Sequence, residues 1–176
     1  MEELKYPVGK YLKPEVFTNQ ILEEAISIIK NFPEKIKTET FHLSDEQLDT
    51  PYRPGGWTVR QVVHHCADSH INAYIRIKMA LTENTPTIKP YAEALWAELA
   101  DSKTLPIQPS LSIIENVHFR WVTVLKNMTE KEFTRSFIHP EKGKELSLHE
   151  STGMYAWHCN HHLAHITLLK KTKGWK

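Results

Sequence analysis

Trp157-His158-Cys159-Asn160-His161-His162-Leu163-Ala164-His165-Ile166 decides how this chain is read, because it concentrates four of the protein's eleven histidines in ten residues. A helix turns about 100° per residue, so His158, His161, His162 and His165 fall within one arc of about 100°. Met154, Leu168 and Leu169 share that arc, while Leu163 and Lys170 point away. The imidazoles stand where a bundle helix ordinarily carries apolar core residues. Each brings a donor and an acceptor that burial must not leave unpaired. A bound cation would satisfy several at once.

Working outward, Ser147 and Glu150 have the spacing of a capping box that opens this helix. It should run to about Lys173, with Lys170, Lys171 and Lys173 near its carbonyl end and Gly174 just past it. Phe137 to Leu148, interrupted by Pro140 and Gly143, reads as a small hairpin or a plain loop. Ser110 is the expected cap of a helix carrying Leu111, Ile114, Val117, Trp121, Val124 and Leu125. Tyr91 to Leu99 suits a short amphipathic helix inside a long crossover. Thr58 and Gln61 form another capping box, opening a helix to about Leu81 with Val59, Val62, Val63, Cys66, Ala73, Tyr74 and Ile77 on its inner stripe.

Nearer the start, Thr18 caps a helix patterned by Ile21, Leu22, Ala25, Ile28, Ile29 and Phe32. Pro33 is expected to kink or split it. Residues 1–17, with Pro7, Gly9 and Pro14, read as an extended arm. Four long amphipathic segments, with a long crossover between two of them, predict an all-α four-helix bundle occupying residues 1–176 as one domain.

Composition narrows the partners. Charged residues make up 24% of the chain and the formal net charge is +1, so neither nucleic acid nor an anionic membrane is favoured. No apolar run is long enough to span a bilayer. Met1-Glu2-Glu3-Leu4-Lys5 does not begin a secretory signal, and Cys66 and Cys159 read as reduced thiols, so a cytoplasmic location is expected.

The histidine helix offers two pairs at i, i+4, His158 with His162 and His161 with His165. Either can bring two imidazoles to one ion. A third ligand must then come from His64-His65-Cys66-Ala67-Asp68-Ser69-His70. Relative to that helix's apolar stripe, His70 points inward, His65 lies at the edge and His64 points largely outward. Periodicity ranks His70 and His65 above His64 without choosing between them.

Gly55-Gly56-Trp57-Thr58-Val59-Arg60-Gln61-Val62-Val63-His64-His65-Cys66-Ala67-Asp68-Ser69-His70, taken with the stretch from Trp157 to Ile166, resembles the YfiT branch of the DinB-like superfamily. The likeness runs from Tyr6-Pro7 to Gly174-Trp175. It implies a four-helix bundle, usually homodimeric, holding one divalent ion on three histidines. By position in the family's motifs the ligands are His65, His158 and His162. Many superfamily members place Arg-Gly-Gln after the last motif, where this chain has Leu163-Ala164-His165. That departure makes His165 a candidate acid–base or supporting group and leaves the His161/His165 register as the runner-up.

The bland reading of His158 and His162 is two satisfied core histidines. For His70 a core hydrogen bond is the leading reading, and for His64 a surface or rim position. Trp57, Trp121 and Trp157 read as packing, and His42, His118, His139 and His149 carry no usable signal. Three neutral imidazoles leave an ion's charge uncompensated and positions open, as in catalytic rather than structural sites. The resemblance therefore implies a metal-dependent hydrolase with zinc, or else nickel. His161, His165 or Asp68 would serve as acid–base groups, since the chain has no His-Glu-x-x-His motif. The alternatives are an S-transferase using a low-molecular-weight thiol such as bacillithiol, and a metal-binding stress module without catalysis.

Overall fold

A computed structural model describes residues 2–176. Its long helices are α2 (Asn19–Thr40), α4 (Val59–Thr82), α7 (Gln108–Asn127) and α9 (Leu148–Lys173), with the short α1 (Glu2–Lys5), α3 (Asp45–Leu48), α5 (Glu93–Trp96), α6 (Ala100–Thr104) and α8 (Glu130–Phe133) between and before them. Around the bundle the order is α2, α9, α4, α7, so α2 and α4 are diagonal, as are α7 and α9. Both diagonal steps need long connections. The stretch from α2 to α4 carries α3, and the stretch from α7 to α9 carries α8 and an antiparallel hairpin, β1 (Ser136–His139) with β2 (Lys144–Ser147). The undecided segment at 137–148 is thus a hairpin. It is pinned to the crossover by Ile88 N–H donating to the Ile138 carbonyl at 3.0 Å.

The expected caps hold in part. Thr58 and Gln61 close a full capping box on α4. On α9, Ser147 accepts from the Glu150 N–H, but the Glu150 carboxylate turns instead to Lys13 at 2.6 Å. Helix α7 begins at Gln108 rather than at Ser110, with Pro109 in its first turn where a missing N–H costs nothing. The released Ser110 hydroxyl is used elsewhere, as shown below.

Pro33 does not split its helix: α2 continues from Asn19 to Thr40. A proline deprives the carbonyl four residues earlier of its helical donor, and that carbonyl belongs to Ile29. His118 of α7 supplies the replacement, its Nδ1 lying 2.6 Å from the Ile29 oxygen. Tertiary structure therefore repairs the break that the local sequence predicts.

The core is built from Ile29, Phe32 and Ile36 of α2, Val62, Val63 and Ile77 of α4, Ile114, Trp121 and Leu125 of α7, and Ile166 of α9, all at most 1% exposed. Helix α9 gives this core few aliphatic side chains because its inner face is imidazole. The arm before α2 lies on α9: Trp157 Nε1–H donates to the Gly9 carbonyl at 3.0 Å, and the Tyr11 hydroxyl meets the Glu150 carbonyl. It is not wholly extended, since Glu2–Lys5 form a helical turn. Among the described residues no helix is long and apolar enough to cross a membrane.

Candidate metal centre

Helices α4 and α9 are neighbours, and where they meet, ring nitrogens of His65, His158 and His162 all lie within 4.8 Å of one another. His65 Nε2 and His158 Nε2 are 3.3 Å apart. Two imidazoles bound to one tetrahedral zinc ion at about 2.0–2.1 Å would have their nitrogens about 3.3–3.4 Å apart. The donor set and this spacing fit a divalent ion.

The hydrogen bonds behind the cluster dictate which nitrogen carries each proton. Ile29's carbonyl can only accept, so His118 Nδ1 donates to it. Neutral His118 then has only Nε2 to accept with, and it does so from His70 Nδ1 at 2.8 Å. His70 Nε2 in turn accepts from His158 Nδ1 at 3.1 Å. The chain of reasoning ends at His158 Nε2, left as a bare lone pair beside His65 Nε2. This relay draws on all four long helices: Ile29 from α2, His118 from α7, His70 from α4 and His158 from α9. It also explains how His70 and His118, 0% and 1% exposed, are tolerated in the core.

Electrostatics keep the cluster neutral. Burial, reinforced by His161, lowers His65 to about 4. Burial and neighbouring imidazoles hold His158 and His162 well below the ordinary histidine range. Their lone pairs are therefore not lost to protons at neutral pH. Aromatic rings pack against the imidazoles: Trp57 lies 4.7 Å from His65, and Trp157 is stacked on His161 at 4.6 Å. Trp57 is delivered by a turn in which Gly55 has φ +69° and Gly56 packs so tightly that a Cβ would come within 2.8 Å of Arg53.

Two other groupings occur among the described residues. His161, His162 and His165 also offer nitrogens within 4.8 Å, so the runner-up register is geometrically present. There His165 Nε2 donates to the Lys5 carbonyl at 3.2 Å and the ring stacks on Tyr52 at 3.9 Å, which leaves Nδ1 as its one possible ligand atom, away from the cavity that the other histidines line. His70, His118 and Cys159 form the third grouping. Its imidazoles are already committed to the relay, and burial raises the Cys159 thiol well above its usual range, so it remains protonated. Cys66 is likewise buried and its thiol pushed up.

The remaining sequence candidates divide. His64 is not a rim residue: it is 6% exposed, takes the Ser110 hydroxyl on Nδ1 at 2.7 Å and meets the Leu105 carbonyl through Nε2 at 3.3 Å. A helix-wheel argument missed it because α6 and the start of α7 cover that face of α4. Asp68 does not reach the cluster; among the described residues its carboxylate bonds no imidazole, and burial with nearby Asp101 raises it to about 6. It is not on the lining of the cavity that adjoins the three histidines. His161 does join, lining with His65, His158 and His162 a cavity of about 510 Å³ that extends to Arg53, Arg76 and Tyr91.

Comparison with known proteins places the chain in a family and agrees with the fold. The sequence pattern of the DinB superfamily matches residues 39–166. A Bacillus pumilus protein named "Putative metal-dependent hydrolase" is 53% identical over 99% of both chains. YfiT of Bacillus subtilis is 46% identical over 98% of this chain and 97% of its own length. A solved structure, described as "YfiT from Bacillus subtilis is a probable metal-dependent hydrolase with an unusual four-helix bundle topology", superimposes with a TM-score of 0.96 over 99% of both chains.

Proposed function

Since the chain belongs to the DinB superfamily, we propose that His65, His158 and His162 hold one divalent ion and that the adjoining cavity is the active site of a metal-dependent hydrolase. The observation that carries this reading is the convergence of three neutral imidazoles from two helices beside an open cavity. The thiol grouping is closed in the core and His165 does not line the cavity, so both alternatives lack that combination. Zinc is the expected ion, with nickel the alternative, because imidazole suits both. Bound there, the ion would supply Lewis acidity that polarises a carbonyl oxygen and activates water near neutral pH.

The chain's own groups do the rest. Trp57 and Trp157 limit water around the imidazoles, strengthening every electrostatic interaction inside. His161 lines the cavity with its Nδ1 sealed off and unpaired, so Nε2 is the nitrogen that exchanges protons with a substrate. Burial lowers His161 to about 4, which makes it a weak base. Its contribution then belongs near the low end of the 10²- to 10⁴-fold range for acid–base groups, about 10²-fold in kcat.

Neither cysteine can act as nucleophile, so any thiol chemistry must use a thiol from solution. Zinc-loaded protein incubated with a panel of esters and amides, with and without a low-molecular-weight thiol and an electrophile, separates the readings. Cleavage that needs zinc but no thiol is expected. Conjugation that needs the thiol would replace hydrolysis with S-transfer.

The relay has its own consequence. His118→Phe removes the acceptor for His70 and should weaken zinc binding about 10- to 100-fold, the usual effect of losing a group that orients a ligand. His118→Gln, which can donate to Ile29 and accept from His70, should restore most of the affinity. Imidazole ¹⁵N spectra report the cause directly: in the metal-free protein His158 should be Nδ1-protonated, and in His118→Phe mixed. Equal zinc affinities for His118→Phe and the parent would refute the relay's role.

A further inference from the structure

The cavity that reaches the three histidines also holds a guanidinium without an acidic partner. Arg76 is 8% exposed, yet among the described residues no carboxylate oxygen lies within 4.0 Å of it. Its bonds are a long one to the Lys89 carbonyl at 3.4 Å and one shared with the Tyr155 hydroxyl. Five N–H donors are available to a guanidinium, so most of its capacity is unspent. The same fold neutralises a buried arginine where that arginine is a brace: Arg60 meets Asp49 at 2.6 Å, Asp45 at 2.7 Å and the Leu105 carbonyl at 2.9 Å.

Other groups reinforce the imbalance. Arg53 lines the cavity too, with its Nε buried and unpaired. Glu93 and Glu141 are the acids on the lining, both exposed and neither in an ion pair with Arg76 or Arg53. The hydroxyls of Tyr91 and Tyr155 share Ser69, and burial raises both phenols, so they remain neutral donors rather than competing anions. An unpaired buried charge is costly, and the fork of a guanidinium matches the two oxygens of a carboxylate or phosphate.

We propose that Arg76, bonded to Tyr155 and sharing the cavity lining with Tyr91, is a subsite for an oxyanion, so that the substrate of the metal site is a small molecule bearing a carboxylate or a phosphate. This rests on the hydrolase reading and narrows it. Arg76 lies eleven residues after His65 on α4, about 16 Å along the helix axis. Its Cα–Cβ bond tilts back toward the histidine end. The anionic group therefore sits at one end of the cavity and the reacting bond at the other.

The test uses two probes, inorganic phosphate and succinate, on the full chain in zinc-loaded and zinc-stripped forms. The Arg76 Nε–H resonance should shift with one or both probes in both forms, since the subsite does not depend on the ion. A response to phosphate alone assigns a phosphate-bearing substrate, and a response to succinate alone assigns a carboxylate. Arg76→Met should weaken probe binding at least 10-fold with zinc stoichiometry unchanged, and Arg76→Lys, which keeps the charge and loses the fork, should fall between. A resonance unmoved by either probe at millimolar concentration overturns the proposal, as does parental affinity in Arg76→Met. Should Arg76→Met fail to fold, the parent's resonance decides. Absence of zinc binding in the parent would refute the metal reading while leaving the anion result standing.

Discussion

His65→Ala and His162→Ala each lose stoichiometric zinc binding at micromolar protein, whereas His165→Ala keeps it. The contrast follows from the two overlapping groupings, one joining α4 to α9 and one wholly on α9, which share His162 and differ in the others. Zinc sites in small folded peptides bind with about 10–16 kcal/mol in total, so one ligand of a few accounts for roughly 3–5 kcal/mol. That is about a 10²- to 10³-fold or larger loss of affinity. His165 does not line the cavity and packs against the Lys5 carbonyl and the Tyr52 ring, so its removal should cost stability rather than metal. Calorimetric titration of the three variants decides the register. A harmless His65→Ala together with a crippling His165→Ala would reassign the ion to His161, His162 and His165.

Acid should unfold the metal-free protein well above the pH that ordinary carboxylate titration requires. His65, His118, His161 and His165 are all lowered to about 4, with burial the leading cause, and His70, His158 and His162 are held well below the ordinary range. In the unfolded chain each returns to about 6.5. Between those values the unfolded state binds more protons than the folded one, so stability is intact above pH 6.5 and falls as pH drops toward 4. Each of the five most deeply buried groups, His65, His70, His118, His158 and His162, contributes about 1.4 kcal/mol per pH unit in that window, and His161 and His165 contribute less because solvent screens them. Together they overtake a typical stability of about 5–15 kcal/mol within about one to two units. Helical circular dichroism of chelator-treated protein should therefore collapse cooperatively between about pH 5 and 6, and excess zinc should move the midpoint lower because it binds only the folded form. A helical signal unchanged down to pH 4 without metal would show that the histidines are not buried neutral.

The bundle and the histidine face of α9 were legible because both rest on periodicity, which needs no knowledge of neighbours. The capping box at Thr58 and Gln61 fixed the start of α4 for the same reason. What escaped depends on contacts between distant elements. His118 sits in an ordinary apolar stripe, and its meaning appears only once Pro33, on another helix, has freed the Ile29 carbonyl. Pro33 itself read as a break because the sequence does not show who will take that carbonyl. His64 read as a rim residue because the wheel of α4 does not reveal that α6 and Ser110 cover it. Asp68 reads in the sequence as an acid–base candidate, whereas in the fold the charge that acts on it is that of Asp101 and not an imidazole. Arg76 drew no notice, since an unpaired guanidinium can be recognised only after every carboxylate has been placed.

X-ray absorption at the zinc edge of the zinc-loaded full chain tests the central claim most directly. The account predicts a shell of nitrogen and oxygen scatterers at about 2.0–2.1 Å with the outer scattering of three imidazoles and no sulfur. A sulfur scatterer at about 2.3 Å would place the ion with Cys159 instead, and a fourth protein ligand would close the position on which catalysis depends.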